Sequence, residues 1–141
     1  MKKPNKLSKN SYGLVLAACF AATTTAVAEG TVAMLLQQYQ ALGASSFDVG
    51  RGQALWNSNH IDQRSGQKRA CTSCHTSDLR RPGKHARTGK VIEPMAPSAN
   101  LKRLTDIRKI GKWFKRNCKW TLGRECTPQE KGDILSYLTS Q

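Results

Sequence analysis

Cys71-Thr72-Ser73-Cys74-His75 is the most informative stretch of this 141-residue chain. Its two cysteines are spaced one helical turn apart on a single face, so both sulfurs can form thioethers to the two vinyl groups along one porphyrin edge. The histidine that follows at once is turned beneath the ring toward the iron, as its proximal ligand. The pentapeptide therefore reads as the attachment site of one covalent haem c, with Cys71 and Cys74 as anchors and His75 as axial base. Two other uses of paired cysteines fit less well. Thiol–disulfide exchange gives His75 no metal to bind and expects βαβ surroundings that the flanking sequence lacks. A zinc site needs two further ligands, and the later pair, Cys118 and Cys126, closes a short loop around Gly123 that reads as a disulfide.

The composition agrees with a core that a cofactor completes. The length suits one small domain, and only 38% of the residues are apolar, so an isolated hydrophobic core would be marginal. A multi-pass membrane protein, a collagen and a coiled coil are all excluded. Residues 1–28 read as an export signal: Lys2, Lys3, Lys6 and Lys9 precede the apolar stretch Gly13 to Ala22, and Ala26-Val27-Ala28 is a small-x-small cleavage site. That places the protein in the periplasm, with lipid attachment through Cys19 as the alternative, and leaves residues 29–141 as the haem domain. Cleavage would remove four lysines and no acids, leaving 19 basic residues against 9 acidic, a net charge of +10. An exported chain meets little nucleic acid and this one carries no recognised nucleic-acid motif, so an acidic protein partner or an anionic membrane surface is the better use of this charge.

The chain pattern is all-α. Thr31 to Leu42 carries Val32, Leu35, Leu36 and Tyr39 at helical spacing and ends before Gly43. A second helix is expected from Phe47 to Trp56, where Gly50 and Gly52 make sense if another helix crosses at close range. Asn57 to Lys68 reads as a loop. Thr76 to Asn100 shows little periodicity, and so long a stretch inside a compact domain implies that it wraps a large bound group. Thr105 is the expected N-cap of a helix bearing Ile107, Ile110, Trp113 and Phe114, with Asp106 in its first turn. Thr127-Pro128-Gln129-Glu130 is a capping box opening a last helix with Ile134, Leu135 and Leu138. No strand pattern and no internal repeat stands out.

Two nested resemblances follow. Gly52-Gln53-Ala54-Leu55-Trp56, the haem motif and the terminal Ile134-Leu135-Ser136-Tyr137-Leu138 resemble the small class I cytochrome c fold, here with an extra N-terminal helix. Arg87-Thr88-Gly89-Lys90, Ala96-Pro97-Ser98-Ala99, Lys112-Trp113-Phe114-Lys115-Arg116-Asn117-Cys118, Gly123-Arg124-Glu125-Cys126-Thr127 and Glu130-Lys131 resemble the sphaeroides haem protein (SHP) family over nearly the whole exported chain. The resemblance implies a mono-haem cytochrome that binds O2 and NO, with an asparagine on the ferric iron that leaves on reduction. That ligand maps onto Asn117 and the family's disulfide onto Cys118 with Cys126. The implied electron partners are a dihaem cytochrome c and a membrane cytochrome b. Met95 departs from the family, standing where an aliphatic residue is expected.

Asn117, Met95, His85 and His60 compete for the sixth position. A thioether is soft and prefers ferrous iron, so a Met95 ligand would make a plain electron carrier that excludes gases. A carboxamide oxygen is hard and suits ferric iron, so an Asn117 ligand would detach when an electron arrives and admit O2, NO or CO. Spacing alone favours Met95, held in the Pro-bounded Glu93-Pro94-Met95-Ala96-Pro97; the resemblance favours Asn117. A gas-reducing or NO-detoxifying enzyme is a further alternative, although the sequence supplies no evident distal acid or base. The basic segment Lys102 to Lys119, with Lys109, Lys112, Lys115 and Lys119, is either a solvated helix face or a docking surface for an acidic redox protein.

Overall fold

The computed structural model describes residues 22–141. The expected export signal falls outside the described residues up to position 21, and so does Cys19. Four helices carry the fold: α1 (Ala22–Ala41), α2 (Val49–Asn57), α3 (Ile107–Leu122) and α4 (Pro128–Thr139). Between α2 and α3 lie a 3-10 turn at Cys71–Ser73 and four two-residue strands. β1 (His60–Ile61) pairs antiparallel with β2 (Lys68–Arg69), and β3 (Gly83–Lys84) with β4 (Val91–Ile92). These ladders pin segments that the sequence presents as plain loops, and they are too short to carry a period-two signal. The class remains all-α.

Capping chemistry sets where the helices begin. Asp48 is extended and its carboxylate accepts from the Arg51 N–H at 2.7 Å, so α2 starts after Asp48 and not at Phe47. At α3 the N-cap is Asp106 and not Thr105. The Asp106 Oδ1 accepts from the N–H groups of Arg108 (2.9 Å) and Lys109 (3.1 Å), whereas the Thr105 hydroxyl donates back to the Lys102 carbonyl. A carboxylate takes two of the free donors and suits the positive end of the helix. The Thr127–Glu130 capping box forms in both directions, with Pro128 in the first turn. α1 starts at Ala22 rather than Thr31, and the expected cleavage motif Ala26-Val27-Ala28 lies within it. Val32, Leu35 and Tyr39, the residues that revealed the helix, are its buried face.

α2 crosses α4 at Gly52, where a Cβ would lie 2.0 Å from the Asp133 carbonyl oxygen and 2.8 Å from the Tyr137 Cβ. Only a missing side chain permits so close a pass. Gly50 does not share this role: it is exposed, and a Cβ there would meet only the Asp48 carboxylate. Beside Asp133 on α4, Gly132 makes room for the Phe47 ring. The crossing is locked by Asp133, which is 4% exposed. Its carboxylate accepts from the Asp48 N–H (2.8 Å), the Arg51 guanidinium (2.9 and 3.0 Å) and the Gln129 amide (3.1 Å). A buried carboxylate so fully hydrogen-bonded has its charge met from several sides. Against this α2–α4 frame, with α1 packed on α4, the residues from Trp56 to α3 are arranged around a large cavity.

Candidate functional site

The Cys71–Ser73 turn follows directly on the β1–β2 hairpin, whose register brings His60 opposite Arg69. The turn closes through N–H groups of Cys74 and His75 donating to the Cys71 carbonyl at 3.2 and 3.0 Å. Cys71, Cys74 and His75 thereby face one cavity of about 920 Å³, at the upper end of what small-molecule and cofactor sites enclose. Behind them the chain doubles back. Lys84 donates its N–H to the Cys74 carbonyl at 2.8 Å, and the absence of a side chain at Gly83 lets the backbone lie there, since a Cβ would be 2.1 Å from that oxygen. The segment from Thr76 to Asn100 is thus laid along the motif, and His85, Ile92 and Met95 all border the cavity.

The electrostatics suit a metal ligand with two covalent anchors. Both cysteines are free thiols, although only two residues separate them, while Cys118 and Cys126 are bonded to each other. Burial pushes the Cys71 thiol up to about 11, the opposite of the depressed value that a thiol-exchange nucleophile needs. Burial, aided by the Arg103 cation, lowers His75 to about 4, so its imidazole is neutral, the form that ligates. The buried Nδ1 of that ring has no hydrogen-bond partner among the described residues. The Trp56 ring lies 5.4 Å from it, tilted by 42°, and limits where the imidazole can turn. Two free thiols and an uncommitted neutral imidazole on the wall of one large, mainly apolar cavity fit a haem held at the positions the pentapeptide prescribes.

α3 forms another wall. Ile110, Trp113, Phe114, Asn117 and Thr121 recur at three- and four-residue steps, so one helical face lines the cavity and Asn117 is on it. Asn117 sits inside α3, directly before Cys118, whose disulfide to Cys126 joins the last turns of the helix to the approach to α4. The other three candidates are placed differently. Met95 borders the cavity too, and its main chain is tied to the segment just past the motif: its N–H and that of Ala96 both donate to the Leu79 carbonyl at 2.9 Å, four residues beyond His75. The His85 Nδ1 is engaged by the Thr88 N–H (3.2 Å) and hydroxyl (3.1 Å). His60 does not line the cavity, and its Nε2 is paired with the Ser58 hydroxyl at 2.7 Å.

Of the basic segment, Lys112 and Lys115 are exposed and carry no ion pair among the described residues, Lys109 is within 3.8 Å of Asp106, and Lys119 is within 3.4 Å of Glu125. Two cations that charge counting hides are set apart by their surroundings. Arg69 is ion-paired with Asp62, lies over the Trp120 ring at 4.7 Å and donates to the Trp120 carbonyl at 3.1 Å, tying the β1–β2 hairpin to α3. Arg103 is half-buried on the cavity wall, where its Nε donates to the Pro94 carbonyl (2.7 Å) and its Nη2 to that of Glu93 (2.5 Å). In the sequence the only clue to Arg103 is that it precedes α3 and so falls off the helix's basic face.

Comparison with known proteins adds to this geometry. The profile of DUF1924, a domain of unknown function, matches residues 42–138. The cytochrome c-type protein SHP of Cereibacter sphaeroides is 40% identical over 128 residues, covering 91% of this chain and 97% of that protein. The structure of oxidised SHP, described as an oxygen-binding cytochrome c, superposes with a TM-score of 0.70 at 41% identity, over 78% of this chain and 96% of the other. A solution structure of cytochrome c'' from Methylophilus methylotrophus, concerned with the structural basis of haem-ligand detachment, gives a TM-score of 0.68 at 33% identity over 83% and 95% of the two chains.

Proposed function

The chain belongs to the DUF1924 family and to the SHP-type mono-haem c-type cytochromes, and from that premise we propose an exported electron-transfer protein that takes up O2 or NO when reduced, with Asn117 as a distal ligand displaced by reduction. Haem c bound at this site supplies an iron that exchanges one electron and can bind a diatomic gas. Cys71 and Cys74 hold the ring and His75 provides the proximal nitrogen. Asn117 offers a neutral, hard oxygen, a tolerable donor to ferric iron and a poor one to ferrous, so the side chain stays on the oxidised protein and leaves the reduced one.

The observation that carries this reading is the tying of the Met95 main chain to Leu79, just past His75, while Asn117 borders the cavity from a separate element, α3. With haem held through His75, a sixth ligand would have to come from a part of the cavity lining other than the histidine's own segment. Oxygen binding by SHP and the ligand detachment studied in cytochrome c'' support a displaceable sixth ligand, whichever side chain supplies it. The exposed lysines Lys112 and Lys115, with Lys109 and Lys119 flanking them, serve as a docking face for an acidic redox protein, of dihaem cytochrome c or membrane cytochrome b type. Residues 1–28 act as the signal that delivers the chain to the periplasm, Cys19 being the lipid-attachment alternative.

Carbon monoxide and two variants test the ligand. The reduced wild type should bind carbon monoxide rapidly. Asn117→Ala should turn the ferric protein high-spin, and Met95→Leu should leave its spectrum nearly unchanged. A reduced protein whose spectrum ignores carbon monoxide, or the reverse pattern in the variants, refutes the assignment.

A further inference from the structure

Among the cations that border the cavity, Arg103 stands alone. Arg87, Lys90, Lys102, Lys109 and Arg116 are exposed, and Arg69 has Asp62 as its counter-ion. Arg103 is half-buried, and although the Glu93 carboxylate acts on it at longer range, no carboxylate among the described residues lies within ion-pairing distance of it. Two of its five N–H groups are spent on the Pro94 and Glu93 carbonyls, which fix the plane of the guanidinium. The remaining three have no acceptor among the described residues. A half-buried guanidinium, always charged and already aimed by the main chain, calls for an anion.

The cavity that it lines is the one bordered by Cys71, Cys74 and His75. We propose that Arg103 is the carboxylate clamp of this site, receiving a propionate of the bound porphyrin on its free N–H groups and, through its charge, favouring addition of an electron to the iron. An arginine fork matches a carboxylate in a way that a lysine cannot, and its rigidity comes from the same Glu93–Pro94 carbonyls that precede Met95. The inference rests on haem attachment and is independent of which side chain is the sixth ligand.

The test uses the intact holoprotein and two readouts, the midpoint potential from spectroelectrochemistry and the haem-carboxylate bands of the resonance Raman spectrum. At the potential where the wild type is half reduced, Arg103→Gln should lower the ratio of reduced to oxidised protein about tenfold, equivalent to 59 mV for one electron. The carboxylate bands should move with it. Arg103→Lys retains charge but not the fork, so its ratio should stay within about twofold of wild type while the bands still shift. Unchanged bands in either variant overturn the clamp. A lysine variant that loses as much reduced protein as the glutamine variant also overturns it, because Arg103 would then act only as an anchor for the Glu93–Pro94 turn. Should Arg103→Gln fail to yield holoprotein, the bands of Arg103→Lys decide alone. Carbon monoxide binding by the wild type tests Asn117 separately, so either idea can fail without the other.

Discussion

Replacing Gly52 by alanine sets two effects of opposite sign against each other. Alanine gains about 1 kcal/mol in helix propensity over glycine. At Gly52, however, the new Cβ would sit 2.0 Å from the Asp133 carbonyl oxygen and 2.6 Å from its carbon, and ordinary contact begins near 3.4 Å. The helices would have to part by about 1.4 Å, and the obstacle is backbone that no rotamer change can remove. Overpacking costs roughly 1–3 kcal/mol, and an immovable carbonyl belongs at the upper end, so the net loss is about 2 kcal/mol. For a domain of this size that corresponds to a melting temperature about 8 °C lower. Gly111 is the internal control, a glycine inside α3 with nothing within 4 Å of the place a Cβ would take. Gly111→Ala should gain roughly 0.5–1 kcal/mol, or about 2–4 °C. Thermal unfolding of the holoproteins by far-ultraviolet circular dichroism reads both. A Gly52→Ala protein that melts at or above the wild-type temperature refutes the close crossing of α2 and α4.

Asp133 is held below the usual carboxylate range: burial would raise it, but its bonds to Arg51, the Asp48 N–H and Gln129 together outweigh that effect. A depressed carboxylate contributes stability above its ordinary pKa and loses it as pH falls through the folded value, so wild-type stability should decline on acidification below about pH 4. Asp133→Asn should lose about 1–3 kcal/mol at neutral pH and flatten that acid limb in urea titrations at several pH values; an equally steep limb would show that other groups control it. The docking face predicts that reduction by an acidic redox protein slows by about tenfold or more between low and physiological ionic strength. Lys112→Glu with Lys115→Glu should remove most of that dependence in stopped-flow measurements, and a rate indifferent to salt removes the docking face.

The sequence displays what is local and periodic. Val32, Leu35 and Tyr39 announce α1, Thr127 to Glu130 announces α4, and the cysteine–histidine pentapeptide states its chemistry in five adjacent positions. Even Gly52 is legible, since a glycine inside an otherwise good helix asks for a reason and a crossing helix is the usual one. What sequence cannot separate is two similar residues whose difference lies in what the fold brings beside them. Gly50 and Gly52 look alike, yet only one meets Asp133, 81 positions further on. Thr105 and Asp106 are both good caps, and the winner depends on which backbone turns inward. The same limit bears on the proposed sixth ligand. Pro94 and Pro97 make Met95 look rigidly presented, and what the sequence does not display is that its main chain is hydrogen-bonded to Leu79, just past the histidine. Arg103 shows the limit most clearly. Within a run of eight cations it differs from its neighbours only by two backbone carbonyls and by burial, both created when residues 93–94 fold against it. Charge counting assigns it to a solvated face, whereas desolvation turns the same guanidinium into a group that must find an anion, and the cavity is where one can be supplied.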